Sequence, residues 1–473
     1  MYDCTFRFVK DGSPVTEFLD MVAVEKADAD GVLAALWEAF EKNGISREVV
    51  KERIIGCTFD GASVNQGAKG GVVTKLREMI PHVLVSIWCV PHKLELAVLD
   101  ARKSKGVVAN LIQTVEKAVE SVFKFYHGSA KRRRDVNSIA EVLEEDSVYF
   151  SAPQGTRWMA SRKRAYRAVA THLNSVIMHL EEVSNKTSDE GSKCTGYLKT
   201  LKSRYFMDGL HFLIDFLDIL TDVSLEFQKD ALLITDVQAK LVELTIRLEE
   251  LKSTNGPMFA KYLENLNDNK FENKGKMITL TGQGLSKTTM LAFLQDSIEF
   301  TSKRFHFLNE TPFKDFAVFD IRNLPNQSAD LVGYGNESID NLVEHFSSVM
   351  SDEEKENCRK QWPALKSKLK LQKLLKCKSP SEAVGDIITE NSEDVKAVVV
   401  LMLIMSTLSP SSAAVERGFS KMNNIKTVRK VRMNNATLSA LMRVNCLPQN
   451  VKDFDPIPTV AQWMSVSNRH ISK

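Results

Sequence analysis

The chain opens on alternating apolar and polar positions. Residues 4 to 9 and 17 to 24 are rich in aromatic and β-branched side chains, and Asp11-Gly12-Ser13-Pro14 between them is a turn signal, so the pair predicts an antiparallel hairpin. The period then lengthens. From Asp30 to Phe40 the apolar residues Val32, Leu33, Leu36, Trp37 and Phe40 recur at helical spacing, and Gly44 supplies a stop. Residues 54 to 59 form a short apolar run that predicts a buried strand ending at Asp60. A helix near 70 to 79 and another strand at 83 to 90 follow. A hairpin feeding strands that alternate with helices predicts a mixed sheet with helices packed on it.

Beyond Pro91 the pattern is helical. Residues 93 to 183 and 196 to 252 keep a helical period, broken by the polar stretch Ser184 to Lys193 and by Ser253-Thr254-Asn255-Gly256-Pro257. Residues 267 to 287 are polar and bear glycine, and 323 to 340 hold Pro325, Gly333 and Gly335; both read as loops around a helix at 288 to 308. From Ser381 onward the chain returns to compact packing: Val398 to Leu408 is apolar, Ser409-Pro410 breaks it, and helices at 412 to 422 and 434 to 446 follow, expected to pack back on the sheet. The division this implies is residues 1–92 and 391–473 as two parts of one α/β core, with 93–390 as a large all-α insertion. No internal repeat or low-complexity tract interrupts it.

Composition narrows the class only slightly. A chain of 473 residues is long enough for two or three packed regions. Its 63 Lys and Arg against 60 Asp and Glu leave a net charge of +3, so affinity for nucleic acid has to come from local basic patches. Seven scattered cysteines, an odd number, argue for reduced thiols in an intracellular compartment. The most apolar stretch, Ala397 to Met405, is about half of the roughly 20 residues a membrane span needs, so no membrane partner is expected. The first ten residues lack the apolar core and cleavage site of a secretory signal.

Several positions carry candidate chemistry, each with a plain structural alternative. Asp60 precedes Gly61-Ala62-Ser63, where an aspartate either caps a turn or presents a carboxylate to a metal and a phosphate. Glu416, in Ser411-Ser412-Ala413-Ala414-Val415-Glu416-Arg417-Gly418-Phe419-Ser420, either pairs with Arg417 or Lys421 on a solvated face or sits on a helix that approaches the sheet through its small residues. Cys89-Val90-Pro91-His92 has the spacing of half a zinc site, but no second pair follows at a zinc module's distances. Gly155-Thr156-Arg157-Trp158 with Arg162, Lys163, Arg164 and Arg167 gives five bases and no acid. This is either a DNA contact, with Trp158 stacking on a base, or a core Trp beside a solvated basic helix. Lys131-Arg132-Arg133-Arg134 is the sharpest basic run, a nuclear localisation signal, a phosphate contact or a solvated helix start; Arg417 to Arg432 is a second acid-free stretch.

Taken together, Asp60-Gly61-Ala62-Ser63, Trp88-Cys89-Val90-Pro91-His92 and Ser411 to Ser420 resemble the motifs of hAT-superfamily DNA transposases, and the resemblance covers nearly the whole chain. It implies a ribonuclease-H-like sheet with its first strand missing, interrupted by the helical insertion. Asp60 and Glu416 would be the second and third catalytic acids and the metal ligands, and His92 would lie near the reacting strand, able to reach a DNA phosphate. Arg157, Trp158, Arg162, Lys163 and Arg164 would contact DNA. In this family the C-terminal segment dimerises; Val415, Phe419 and Met422 on one face and Leu438, Leu441 and Met442 on another would bury that surface. The first acid is expected on an opening strand that the chain does not encode. Asp3 is excluded from that place by register, and no paired Cys and His precede Asp60 to form a zinc-binding DNA module. The expectation is therefore a nuclear, transposon-derived protein that self-associates as a homodimer or higher oligomer, binds DNA weakly and does not cut, with no cofactor. An active enzyme would need magnesium or manganese, and a pure protein-interaction scaffold is the third reading.

Overall fold

The computed structural model describes residues 2–103, 106–152, 158–375, 379–427, 433–446 and 454–465. The protein is mixed α/β and mostly helical, and the described strands form three small, separate sheets in place of one continuous mixed sheet. Contacts divide the chain into two units. One gathers Met1–Arg7, Thr16–Val50 and Ala413–Lys473; the other holds Phe8–Val15 and Lys51–Ser412. Residue 92 falls in the first turn of the helix Val90–Lys103, and residue 390 closes the helix Pro380–Glu390.

The hairpin pairs β1 (Tyr2–Lys10) with β2 (Ser13–Val22) through a two-residue turn. Asp11 and Gly12 both take positive φ, 49° and 73°, which is the turn geometry that matches the twist of paired strands and favours Asp-Gly. In the smaller unit β2 is buried from Leu19 to Val22. Leu19 and Val22 pack with Cys4 against Ala35 and Ala39 of the helix Ala29–Lys42, which Asp28 caps by accepting from Gly31 N at 2.8 Å. Met21 packs instead on Leu438 and Met442 of the helix Asn435–Cys446, beside the helix Ala413–Ile425.

In the larger unit β3 (Gly56–Phe59) and β4 (Val85–Trp88) run parallel, with Gly56 opposite Val85 and Phe59 opposite Trp88. Their connection carries the helices Ser63–Gln66 and Val72–Met79, since parallel strands need a crossover; Val72, Val73 and Leu76 are its buried side. From Val85 to Leu408 one continuous apolar core follows. Its centre is the helix Arg204–Glu226, buried on every face from Phe206 to Leu217, as expected of a helix enclosed by others there. The two acids buried in it are satisfied: Asp215 accepts from Met258 N and Phe259 N at 2.9 and 2.8 Å, and Asp208 from Leu285 N at 2.9 Å.

The stretch 267–287, expected as loop, instead carries most of an antiparallel sheet of β5 (Leu266–Asn267), β6 (Lys270–Asn273) and β7 (Lys276–Thr279). Its strands are four residues or fewer, and of β6 and β7 only Phe271 and Ile278 are buried, so no alternation is long enough to read. The turns are visible afterwards: Asp268 and Asn269, then Lys274 and Gly275, all have positive φ. Within 323–340 the chain forms a short 3-10 turn at Ala329–Leu331 and begins the helix Asn336–His345. Among the described residues no helix is long and apolar enough to cross a membrane.

Candidate functional site

The carboxyl ends of β3 and β4 place Asp60 and Cys89 after neighbouring strands, and Cys89 N donates to Phe59 O at 2.9 Å. Open α/β sheets commonly bind ligands at such an end. Asp60 is exposed, and its Oδ1 accepts from Ala62 N at 3.1 Å and from Asn65 Nδ2 at 2.8 Å. The carboxylate thus shapes the turn into the helix Ser63–Gln66. Gly61 lies flat on Trp88: a Cβ there would stand 2.0 Å from the indole Cζ2.

Trp88 anchors a cationic cluster. Lys93 Nζ lies 5.1 Å from its ring and 4.1 Å from that of Phe307, and donates to Arg304 O at 3.1 Å. Arg304 stands 5.9 Å from the Trp88 ring and pairs with Asp100 at 2.6 Å. Burial, and then the neighbouring Arg304 charge, pull the Lys93 ammonium down to about 8. The sequence marks Trp88 only as the start of the motif Trp88-Cys89-Val90-Pro91-His92 and gives Lys93 no role, because Arg304 and Phe307 reach them only through the fold; the one local signal is an aromatic and a lysine flanking Cys89-Val90-Pro91-His92.

The segment before the Glu416 motif is stitched to the same strand ends. Thr58 Oγ1 donates to Ser409 O, Val90 N donates to Pro410 O at 2.9 Å, and Ser412 N donates to the buried Cys89 Sγ at 3.5 Å. Cys89 therefore serves packing and this contact, and His92 is half-buried in the first turn of the helix Val90–Lys103. Glu416 stands four residues beyond Ser412, in the first turn of Ala413–Ile425 in the smaller unit, whereas Asp60 belongs to the larger. Among the described residues no three His, Cys, Asp or Glu side chains gather as a metal-holding group.

The basic helix expected to meet DNA spends much of its charge internally. In Trp158–Thr171, Arg162 is buried; its guanidinium covers Trp158 at 4.6 Å and binds Glu116 at 2.7 Å, and Arg102 holds the other oxygen of Glu116. Lys163 pairs with Asp218 at 3.0 Å, and Arg167 binds the same carboxylate. Arg164 is exposed, and Arg157 lies outside the described residues. The core-tryptophan alternative thus accounts for Trp158, Arg162 and Lys163, because a buried guanidinium requires an acid partner that a phosphate would have to displace.

The expected dimer face divides similarly. Leu438 and Met442 are fully buried within the chain on Met21, with Phe18, Phe419 and Met422 packed around them. Those side chains serve the chain's own core. Val415 is half-buried, and Leu441, at 41 % exposure, faces solvent with Val444. In the same unit Asp3 is buried, neither carboxylate oxygen has a hydrogen-bond partner among the described residues, and a Cβ on Gly418 would fall 1.6 Å from Oδ2. Burial raises the Asp3 carboxyl to about 7, with Lys421 opposing. Asp20 is buried too but satisfied, by Met21 N at 2.7 Å, the Ser439 hydroxyl and Arg443 at 3.4 Å.

No protein-family model matches the chain. The family resemblance therefore rests on the motifs themselves.

Proposed function

We propose that the protein derives from a hAT-type transposase, with a ribonuclease-H-like remnant around β3 and β4, and that it self-associates and binds DNA weakly in the nucleus without cutting it. The observation that carries this reading is the stitching of Ser409–Ser412 to the ends of β3 and β4, which brings the approach to the Glu416 motif beside both Asp60-Gly61-Ala62-Ser63 and Cys89-Val90-Pro91-His92. Residues far apart in the chain, Thr58, Cys89, Val90 and Ser409 to Ser412, thus meet within the larger unit, and this supports the reading. The lack of cutting is supported by the turn-forming role of Asp60, whose Oδ1 already accepts two hydrogen bonds. The reading uses no metal-dependent step.

Self-association is assigned to the part of the C-terminal helices left outside the chain's own core, with Leu441 the exposed member of the expected set. Incubation with a DNA duplex carrying hairpin-forming ends, in magnesium and separately in manganese, tests the central claim against an Asp60→Ala control. The expected outcome is no cleavage above that control; metal-dependent cutting abolished by the substitution would establish the active-transposase alternative.

A further inference from the structure

The helix Ala130–Val142 carries the chain's sharpest basic run, and the structure splits that run in two. Arg132 turns toward the protein, where it pairs with Glu190, donates to Phe125 O at 2.9 Å and covers the Phe125 ring at 4.2 Å. Arg133 and Arg134 point the other way and are exposed. They line an open groove of about 710 Å³ together with Asn137, Ser138 and Glu141, the residues that helical spacing sets on the same face. We propose that this groove grips the DNA backbone, Arg133 and Arg134 each taking a phosphate, and that it, not the helix Trp158–Thr171, is the chain's main DNA contact. The inference rests on the DNA binding proposed above and gives it a place.

The charges around the groove favour an anion at its arginine end. Glu145, which also lines the groove, is committed to Ser175 Oγ at 2.6 Å and to Lys274 at 3.4 Å. Asp135 is not among the residues that line the groove. Glu141 lies eight residues beyond Arg133, about 12 Å along a helix, so it marks the far end. Ser138 is exposed and offers a neutral hydroxyl of the kind that binds sugar and phosphate oxygens beside arginine, while Asn137 is spent on the chain itself, donating to Arg133 O and accepting from Val148 N, each at 2.7 Å. Tyr149, two residues past the groove-lining Ser147, is 77 % exposed and offers a ring on which a base can stack. A nuclear import receptor is the other reader of such a run. Here the run is wound into a helix with Arg132 already spent on Glu190, so it is not offered as four consecutive free cations.

The test is fluorescence anisotropy of a labelled mixed-sequence DNA duplex with the full chain across a salt series. Variants are Arg133→Glu/Arg134→Glu, the milder Arg133→Gln/Arg134→Gln, and Lys303→Glu/Lys360→Glu as a control of equal charge change at exposed sites. Expected are an affinity loss of about tenfold or more in the first variant, a smaller loss in the second, and a fall of roughly 1.8 in the slope of log affinity against log salt, two phosphates' worth. Equal loss in the control variant would reduce the effect to net charge and overturn the site. Unchanged affinity in both arginine variants, while the wild type binds, would overturn the site and leave DNA binding standing. No binding by the wild type would overturn both. Loss of nuclear accumulation with unchanged DNA affinity would assign the arginines to a protein partner instead.

Discussion

Gly61 and Asp3 are the two positions where a single atom decides most. A methyl at Gly61 meets the indole of Trp88 at 2.0 Å, and that ring is held from elsewhere by Lys93 and Arg304. Gly61→Ala should therefore cost about 1–3 kcal/mol, read as a lower urea midpoint at unchanged slope. Asp3 gives a pH dependence of definite sign. Its carboxyl rises from 3.8 unfolded to about 7 folded, so between those values the folded state holds the extra proton, and stability falls as pH rises across that window. The fall from this group is at most about 1.4 kcal/mol per pH unit and ends above pH 7. Asp3→Asn should flatten that slope and be the more stable protein at pH 8, measured by thermal melts from pH 4 to 8. A slope unchanged in the variant would mean that Asp3 is not its source. The Asp60 turn was legible in the sequence because Asp-Gly after an apolar run is a local signal. The Trp88 cluster was not, since Lys93 and Arg304 are 211 residues apart.

Among elements, the helix Asn435–Cys446 separates what packs from what is presented. Leu438 is wholly buried and Leu441, one turn on, is 41 % exposed. Leu438→Ala should cost about 2–5 kcal/mol and raise hydrogen exchange across 435–446. Leu441→Asp should change stability by no more than about 0.5 kcal/mol yet lower self-association in sedimentation velocity. If Leu441→Asp leaves the oligomer intact, this face is not the interface. The periodicity of the C-terminal helices was readable, but it marks apolar faces without telling what covers them. The hairpin was readable for a firmer reason: Asp11-Gly12 suits only a narrow set of turns, and alternation runs for several residues on each side. β5 to β7 went unread because strands of two to four residues leave the period undetermined.

For the molecule as a whole, a net charge of +3 supplies little long-range attraction to DNA, so binding must come from a few close contacts. Affinity for a mixed-sequence duplex should accordingly be weak and should drop steeply between about 50 and about 200 mM salt, with a slope that counts only a few phosphates. A salt-independent affinity would point to base stacking or apolar contact in place of the backbone. The internal pairing of Arg162 and Lys163 makes the same point: counting bases along the chain overstates the charge that reaches solvent.

From its order of residues alone the chain determined the hairpin, most of the helices, the strand that ends at Asp60 and the mostly helical character. These follow from periods and turn chemistry that act over a few neighbouring residues. Folding decided which of those residues meet. It set Ser409–Ser412 on the ends of β3 and β4, turned Arg162 and Arg132 inward while leaving Arg133 and Arg134 outside, and buried Leu438 but not Leu441. The reason is physical: burial and pairing depend on partners from about 46 to about 350 positions away, and no local pattern carries that information.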